Sequence, residues 1–277
     1  FGDGFIVSES QPSFDGVPGF VTFASRPFMT ASGVGYWISG YNETDPQGST
    51  QGRVLYRYDG VAVTAVTVAG DSFGYQGGSF TIDIGSGIDF DYDVSPGDVN
   101  RIQLVDAAGE SPAADNVVII NGEGVHREGD PTGDGDNWDN FDRFRILDDG
   151  TYVMTGDTDG DSSSDEFIAV DGTIVLREGM TVDGITLSSG VSLRGIDLLP
   201  DGTLVHGWGS SSFGEMVFVG SIDDLAGTSV RVVGTGDALD LGDLGLATVD
   251  DLEASTGLPG GLAVSAAAVY VNLDMTP

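Results

Sequence analysis

The stretch from Asp149 to Gly202 carries a plan that returns elsewhere in the chain, and any fold for this sequence has to accommodate that return. It begins with Asp149-Gly150 and the apolar run Tyr152-Val153-Met154, followed by an acidic loop from Asp157 to Asp165. Phe167-Ile168-Ala169-Val170, a tight Asp171-Gly172 turn and Ile174-Val175-Leu176 come next. A loop through Asp183-Gly184 then leads to Val191–Leu199 and Asp201-Gly202. Short β-rich runs punctuated by Asp-Gly are the hairpin signature, because Gly accepts positive φ and Asp tolerates it. The stretch therefore predicts four antiparallel strands.

A run ending in a turn glycine recurs as Val54 to Gly60, Val117 to Gly122, Phe167 to Gly172 and Met216 to Gly220. These glycines lie 62, 50 and 48 residues apart, the spacing of a repeated supersecondary unit with loop insertions. A further strand motif follows each one, at Val66 to Asp71, Val125 to Asp130, Val175 to Gly179 and Val232 to Asp237. The ends of the chain carry fragments of the same unit. Phe5-Ile6-Val7 falls on Thr173-Ile174-Val175 at an offset of 168, which also lays Asp15-Gly16 on Asp183-Gly184. One gap later, Gly33 falls on Gly202. Leu262 to Ala267 and Val269 to Leu273 read as a first and second strand with nothing after them.

Two fragments make one whole unit. The expectation is an all-β chain forming one domain over residues 1–277, a five-bladed β-propeller of four-stranded antiparallel blades at about 34–98, 99–150, 151–202 and 203–261. The last blade is a composite of the N-terminal and C-terminal strands, 1–33 with 262–277. Joining first and last strands would remove open sheet edges. The same pairing made between copies would build a polymer. An open solenoid or sandwich is the structural alternative.

Charge restricts the partners. The 277 residues carry 44 acids, 35 of them Asp, against 10 Arg and no Lys, a net charge of -34. Such a surface excludes nucleic acid, which needs cationic contacts to phosphate, and disfavours an anionic membrane. No apolar run approaches the length of a membrane span. Acids in such excess repel one another unless salt or cations screen them, so stability should respond to ionic conditions. There is no Cys, and the chain opens on Phe1 rather than Met, which with the acidity points to a processed, extracellular or cell-surface protein.

Two loops have the composition of cation sites. Asp157, Asp159, Asp161 and Asp165 stand at loop positions 1, 3, 5 and 9, a spacing that lets hard carboxylate oxygens converge on Ca2+. Asp130, Asp134, Asp136 and Asp139 form a less regular second cluster. The first loop departs from the usual calcium loop in having Gly160 at position 4 instead of a Gly at position 6. Asn42-Glu43-Thr44 fits an N-glycosylation acceptor at Asn42.

Catalytic constellations are thin. His126 and His206 are the only histidines, each in a predicted strand and read as structural. No Gly-x-Ser-x-Gly elbow, zinc motif or phosphate-cradling loop is present. Trp37, Trp138 and Trp208 could form a sugar-stacking platform, with at least two read as packing residues.

With its acidic loops between blade strands, the chain resembles bacterial secreted β-propeller repeat proteins with integrin-like calcium loops. That resemblance rests on strands and turns, and propellers host many activities. The leading expectation is a non-enzymatic extracellular structural protein, a self-assembling filament or layer subunit stabilised by divalent cations. The alternatives are a glycan- or protein-binding adhesion module and a calcium-dependent hydrolase of the lactonase type.

Overall fold

The computed structural model describes residues 10–25, 27–85, 87–210, 214–240, 246–252, 262–265, 268–271 and 273–276. The chain is all-β, with antiparallel pairing in nearly every ladder, and falls into two compact units. One comprises residues 1–129 with 147–150, the other 130–146 with 151–277.

In the first unit, β1 (Phe20–Ala24) and β2 (Phe28–Met29) both pair with β3 (Gly35–Asn42). They act as one interrupted first strand. β4 (Gly52–Tyr58) and β5 (Val63–Val68) complete that sheet, and β6 (Ser72–Tyr75) with β7 (Gly78–Thr81) form a hairpin after it. The second sheet runs β8 (Ile88–Val94), β9 (Arg101–Asp106), β10 (Asn116–Ile120), β11 (Glu123–Arg127), and the β6–β7 hairpin joins its edge by a single parallel pair, Glu123 with Gly74.

The second unit holds β12 (Trp138–Ile146), β13 (Tyr152–Thr158), β14 (Phe167–Val170) and β15 (Thr173–Arg177) in one four-stranded sheet. A small hairpin, β16 (Thr181–Val182) and β17 (Ile185–Thr186), follows it. The next sheet is β18 (Ser192–Leu198), β19 (Thr203–Ser210), β20 (Gly214–Ser221) and β21 (Val230–Gly234). β22 (Ala238–Asp240) and β23 (Leu246–Leu252) pair next, then β24 (Leu262–Ser265) with β25 (Ala268–Val271), and β26 (Leu273–Thr276) returns to β23.

The repeat is visible in irregularities as well as in strands. Each of the four large sheets has a register shift between its first and second strands, at Val21/Phe23, Ile88/Tyr92, Phe141/Arg143 and Leu193/Gly195. Each has another between its third and fourth, at Leu55/Tyr56, Val118/Ile119, Ile168/Ala169 and Val217/Phe218. Such shifts bend and twist a strand, and they recur at the same two ladders of each sheet. Asn121-Gly122 and Asp171-Gly172 close the third-to-fourth hairpins with both residues at positive φ, 52° and 89° in one and 47° and 77° in the other. This is the primed turn that matches strand twist.

The middle strands are the more buried. β3 is buried along all eight residues, whereas the fourth strands β5 and β15 each hold one fully buried residue. A strand buried throughout needs cover on both faces, which stacked sheets provide. In the first unit, Tyr36, Ile38 and Leu55 pack with Ile88, Val105 and Val117 of the following sheet. On the opposite face Trp37, Val54 and Tyr56 meet Val17 and Phe14. In the second unit Val205, Val217 and Val233 pack with Val249.

Three expectations need correction. Val191–Leu199 does not close the sheet begun at Tyr152; Ser192–Leu198 opens the next sheet through its hairpin with Thr203–Ser210. The sheets therefore group 138–177 and 192–234, one strand out of phase with the boundaries at 150 and 202, because an Asp-Gly turn joins two strands of one sheet instead of separating two. Gly220 is not a turn residue: it lies inside β20, where an added Cβ would stand 2.2 Å from the Ser229 hydroxyl. The intervening turn is a short helical excursion, Ile222–Asp224 and Leu225–Thr228. Finally, Leu273 belongs to β26, paired with β23, and not to the strand Ala268–Val271. The expected pairing of Phe5-Ile6-Val7 lies outside the described residues.

Candidate functional site

The β12–β13 hairpin decides where the acidic loops go. Trp138 pairs with Thr158, so the segment preceding β12 and the segment following β13 emerge at the same end of the sheet. Residues 130–137 and 159–165, separate in sequence, thereby become neighbours. Asp159 braces them, accepting from the Asn137 backbone N–H at 2.7 Å and from Asn137 Nδ2 at 2.8 Å, while its own N–H donates to the Asn137 carbonyl at 3.0 Å. Those hydrogen bonds hold the Asp159 carboxyl below its ordinary range. Asp161 caps its own turn, accepting from Ser163 N–H at 3.0 Å and Ser163 Oγ at 2.7 Å, and its pKa is lowered for the same reason.

Between the loops stands a cation that the chain itself supplies. Arg177, at the end of β15, donates from Nη2 to Asp134 at 2.7 Å and from Nη1 to Asp136 at 2.8 Å. The same Nη1 reaches the Ser164 carbonyl at 2.9 Å and Thr158 Oγ1 at 3.2 Å. Gly160 belongs to this contact, since a Cβ there would lie 2.8 Å from Asp136 Oδ2. Its glycine serves close approach.

Of the eight acids singled out from sequence, the structure thus brings Asp134 and Asp136 together on Arg177, uses Asp159 as a brace and Asp161 as a cap. Asp139 is exposed on β12, Asp130 offers its carbonyl to Trp138 N–H at 3.0 Å, and Asp165 accepts from Glu166 N–H at 3.0 Å. Asp157 is half-buried, and burial first, then the charge of Asp142, raises its pKa. Among the described residues no group of three or more acidic or histidine side chains is arranged to hold a metal ion. Of the eight carboxylates expected to face Ca2+, Asp134 and Asp136 face the Arg177 guanidinium in this arrangement.

Arg177 and its neighbours were missed from sequence, although a signal was present. His126-Arg127-Glu128-Gly129 and Leu176-Arg177-Glu178-Gly179 sit 50 residues apart. At that same offset, Arg127 Nε donates to the Ala114 carbonyl at 2.8 Å and Arg177 to that of Ser164. Glu128 N–H donates to the Asn116 carbonyl at 3.0 Å and Glu178 N–H to that of Glu166 at 2.9 Å. A repeated Arg-Glu-Gly after the outer strand thus ties back the loop between the second and third strands.

A second acidic group was not foreseen. Glu166 and Glu178 are buried, and their carboxylates accept from backbone N–H groups at the start of the next sheet, Leu193 at 2.7 Å and Val191 at 3.0 Å. Burial pushes Glu166 up to about 8, resisted by the Leu193 hydrogen bond and reinforced by Asp157, Asp142 and Glu178. Burial also raises Asp142 and Glu178.

His206 is buried and hydrogen-bonded at both ring nitrogens. Trp208 Nε1 donates to His206 Nδ1 at 2.8 Å, which places the His206 proton on Nε2, and Nε2 donates to Ser229 Oγ at 2.9 Å. A histidine that activates serine needs the opposite tautomer. Burial moreover depresses His206 to about 3 and His126 to about 4, so both stay neutral. Trp37, Trp138 and Trp208 are all buried; Trp138 packs on Phe167 with ring centroids 4.9 Å apart. They form no exposed sugar platform. Asn42 is 5% exposed, donates from Nδ2 to the Ser49 carbonyl at 2.6 Å and accepts from Thr44 and Asp45 N–H at 3.0 and 2.9 Å. In the folded chain that amide holds the 43–49 loop, and Nδ2 is not presented to a glycan.

No protein-family model and no curated protein matches the chain. Among solved structures it is similar to TolB from Acinetobacter baumannii at 14% identity and TM-score 0.43, over 77% of this chain and 44% of that one. It is similar to prolyl oligopeptidase B from Galerina marginata at 15% identity and TM-score 0.42, over 79% and 32%. Another is a structure described as the Dos1 propeller, at 10% identity and TM-score 0.37, over 78% and 46%. The chain spans less than half the length of each of these three. Similarity at this level assigns no activity.

Proposed function

We propose that this chain is a five-bladed β-propeller scaffold, a non-enzymatic extracellular structural protein that assembles with copies of itself. One observation carries the reading. β24 lies against β18 as β18 lies against β12, so the first strands of three of the sheets follow one another, yet among the described residues the β24–β25 hairpin pairs only with itself. An open strand edge of that kind accepts another strand. The segment whose sequence repeats an outer strand is Phe5-Ile6-Val7, and its downstream partner supports that alignment: Asp15-Gly16 turns at φ 51° and 74°, Asp183-Gly184 at 48° and 74°. The N-terminal segment completes the fifth blade, within one copy or across two. Divalent cations then act on the assembly by lowering the repulsion between subunits of charge -34.

Because the chain has no cysteine, paired cysteines test this directly. Single cysteines at Ile6 or Val7 are combined with one at Val269, Tyr270 or Val271, oxidised, and separated under denaturing, non-reducing conditions. A ladder of multimers supports assembly by strand exchange. A fast-migrating monomer supports the closed ring and, if the native particle is also monomeric by light scattering, overturns the assembly reading while leaving the fold. No cross-link from any pair overturns the composite blade.

A further inference from the structure

We propose that a cleft in the first unit, between β5 and the β9–β10 pair, binds the carboxylate of a small organic acid. The cleft encloses about 20 Å³ and its wall includes Thr67, Phe73, Arg101, Gln103, Ile119 and Asn121. All of these lie within one compact unit.

Two donors in that wall lack acceptors. Six arginines of the described residues form ion pairs, at 57, 127, 145, 177, 194 and 231. Arg53 lies over the Phe90 ring at 4.8 Å, and Arg143 donates to the Leu193 carbonyl at 3.3 Å. Arg101 is the exception: among the described residues its guanidinium makes no hydrogen bond or ion pair, in a chain with more than four acids for each arginine. Asp98, whose ionisation the Arg101 charge favours, is already held by Arg57 at 2.6 Å and Tyr36 at 2.5 Å. The second donor is Gln103, 5% exposed. Its Oε1 accepts from Thr67 Oγ1 at 3.0 Å, which leaves Nε2 buried with no partner.

A buried donor without an acceptor is costly to leave, and an unpaired guanidinium presents a fork of N–H groups matched to a planar carboxylate. A carboxylate entering the cleft would answer both, one oxygen to each donor or two to Arg101 with Gln103 sharing one. Phe73 and Ile119 supply an apolar wall for the adjoining carbons. Asn121 does not compete, since its Oδ1 accepts from Arg101 N–H and its Nδ2 donates to Asn100 Oδ1, both at 2.9 Å. The volume admits the acid group and leaves the remainder of the ligand outside. The same space would hold a single water molecule, which needs about 10–15 Å³, and the experiment separates the two occupants.

The full chain is titrated with sodium D-glucuronate while the Gln103 side-chain NH2 and Arg101 Nε–H resonances are followed by NMR, with sodium chloride at equal ionic strength and the neutral methyl glucoside as controls. The expected result is a saturable shift of both resonances with glucuronate alone. Arg101→Gln, which removes a side chain making no bonds of its own, should weaken binding roughly tenfold or more, the worth of a charge-assisted pair. Gln103→Met should weaken it while leaving the rest of the spectrum in place. Shifts absent with glucuronate, reproduced by chloride, or unaltered in affinity by Arg101→Gln would mean that water fills the cleft, and the proposal falls.

Discussion

Glu166 is a buried carboxyl surrounded by other carboxyls, and its protonation is tied to folding. Its folded pKa of about 8 stands above the ordinary value of 4.5, so the folded chain holds a proton that the unfolded chain has released between those limits. Stability from this group is fully present below about pH 4.5 and is lost as pH rises through 8. Glu166→Gln keeps an oxygen for Leu193 N–H and removes the charge. Urea midpoints should therefore coincide for the two proteins at about pH 4, while at about pH 9 the variant should be the more stable by roughly 2 kcal/mol. Equal midpoints at both pH values would remove Glu166 from this role. Sequence gave no warning of it, because Glu166 follows Asp165 at the end of what reads as a solvated loop, and only the strand pairing draws it under the next sheet. Arg177 was hidden differently: alternating Asp residues advertise a need for positive charge, but nothing in their spacing says that the chain meets part of that need itself.

Strands and turns were the legible level. Apolar runs at Val54–Tyr58, Val117–Ile120, Phe167–Val170 and Met216–Val219 are strands, and Asn121-Gly122 and Asp171-Gly172 are tight turns. Grouping into sheets was misjudged by one strand, since a repeat has no phase of its own until hairpin pairing supplies one. Bulges were not legible at all, because a register shift depends on which backbone faces which. Gly156 illustrates the last point. It lies in β13 beside the β12 bulge, and a Cβ there would stand 1.9 Å from the Asn140 carbonyl oxygen, an atom that cannot rotate away. Gly184, in the β16–β17 turn, has φ 74° and nothing within 4 Å of its Cβ position. Gly156→Ala should cost roughly 3 kcal/mol or more through backbone displacement, and Gly184→Ala about 1 kcal/mol through conformational strain alone. Denaturation midpoints that rank the two in the reverse order would show the β12–β13 bulge to be more pliable than its contacts imply.

At the scale of the whole chain, 44 acids against 10 arginines set a repulsion that no local pairing can cancel. At least six described arginines already hold carboxylates, and ten arginines still leave a net charge of -34 to be screened. Two remedies make different demands. Diffuse screening acts through ionic strength: raising NaCl from about 0.1 M to about 1 M shortens the screening length from ~10 Å to ~3 Å, and should raise the thermal midpoint steadily across that range. A calcium-filled loop would saturate instead, reaching its full effect at a concentration near its dissociation constant and losing it to a chelator. Since Arg177 occupies the junction of the two loops, the wild-type chain should follow the first course, with CaCl2 and NaCl nearly equivalent once ionic strength is matched. In Arg177→Gln, Asp134 and Asp136 lose their cation, and CaCl2 should then stabilise more than NaCl at equal ionic strength. A saturating, chelator-reversible rise in the wild-type chain would instead place calcium in these loops beside the arginine, while a midpoint indifferent to either salt would mean that the acids lie too far apart to repel.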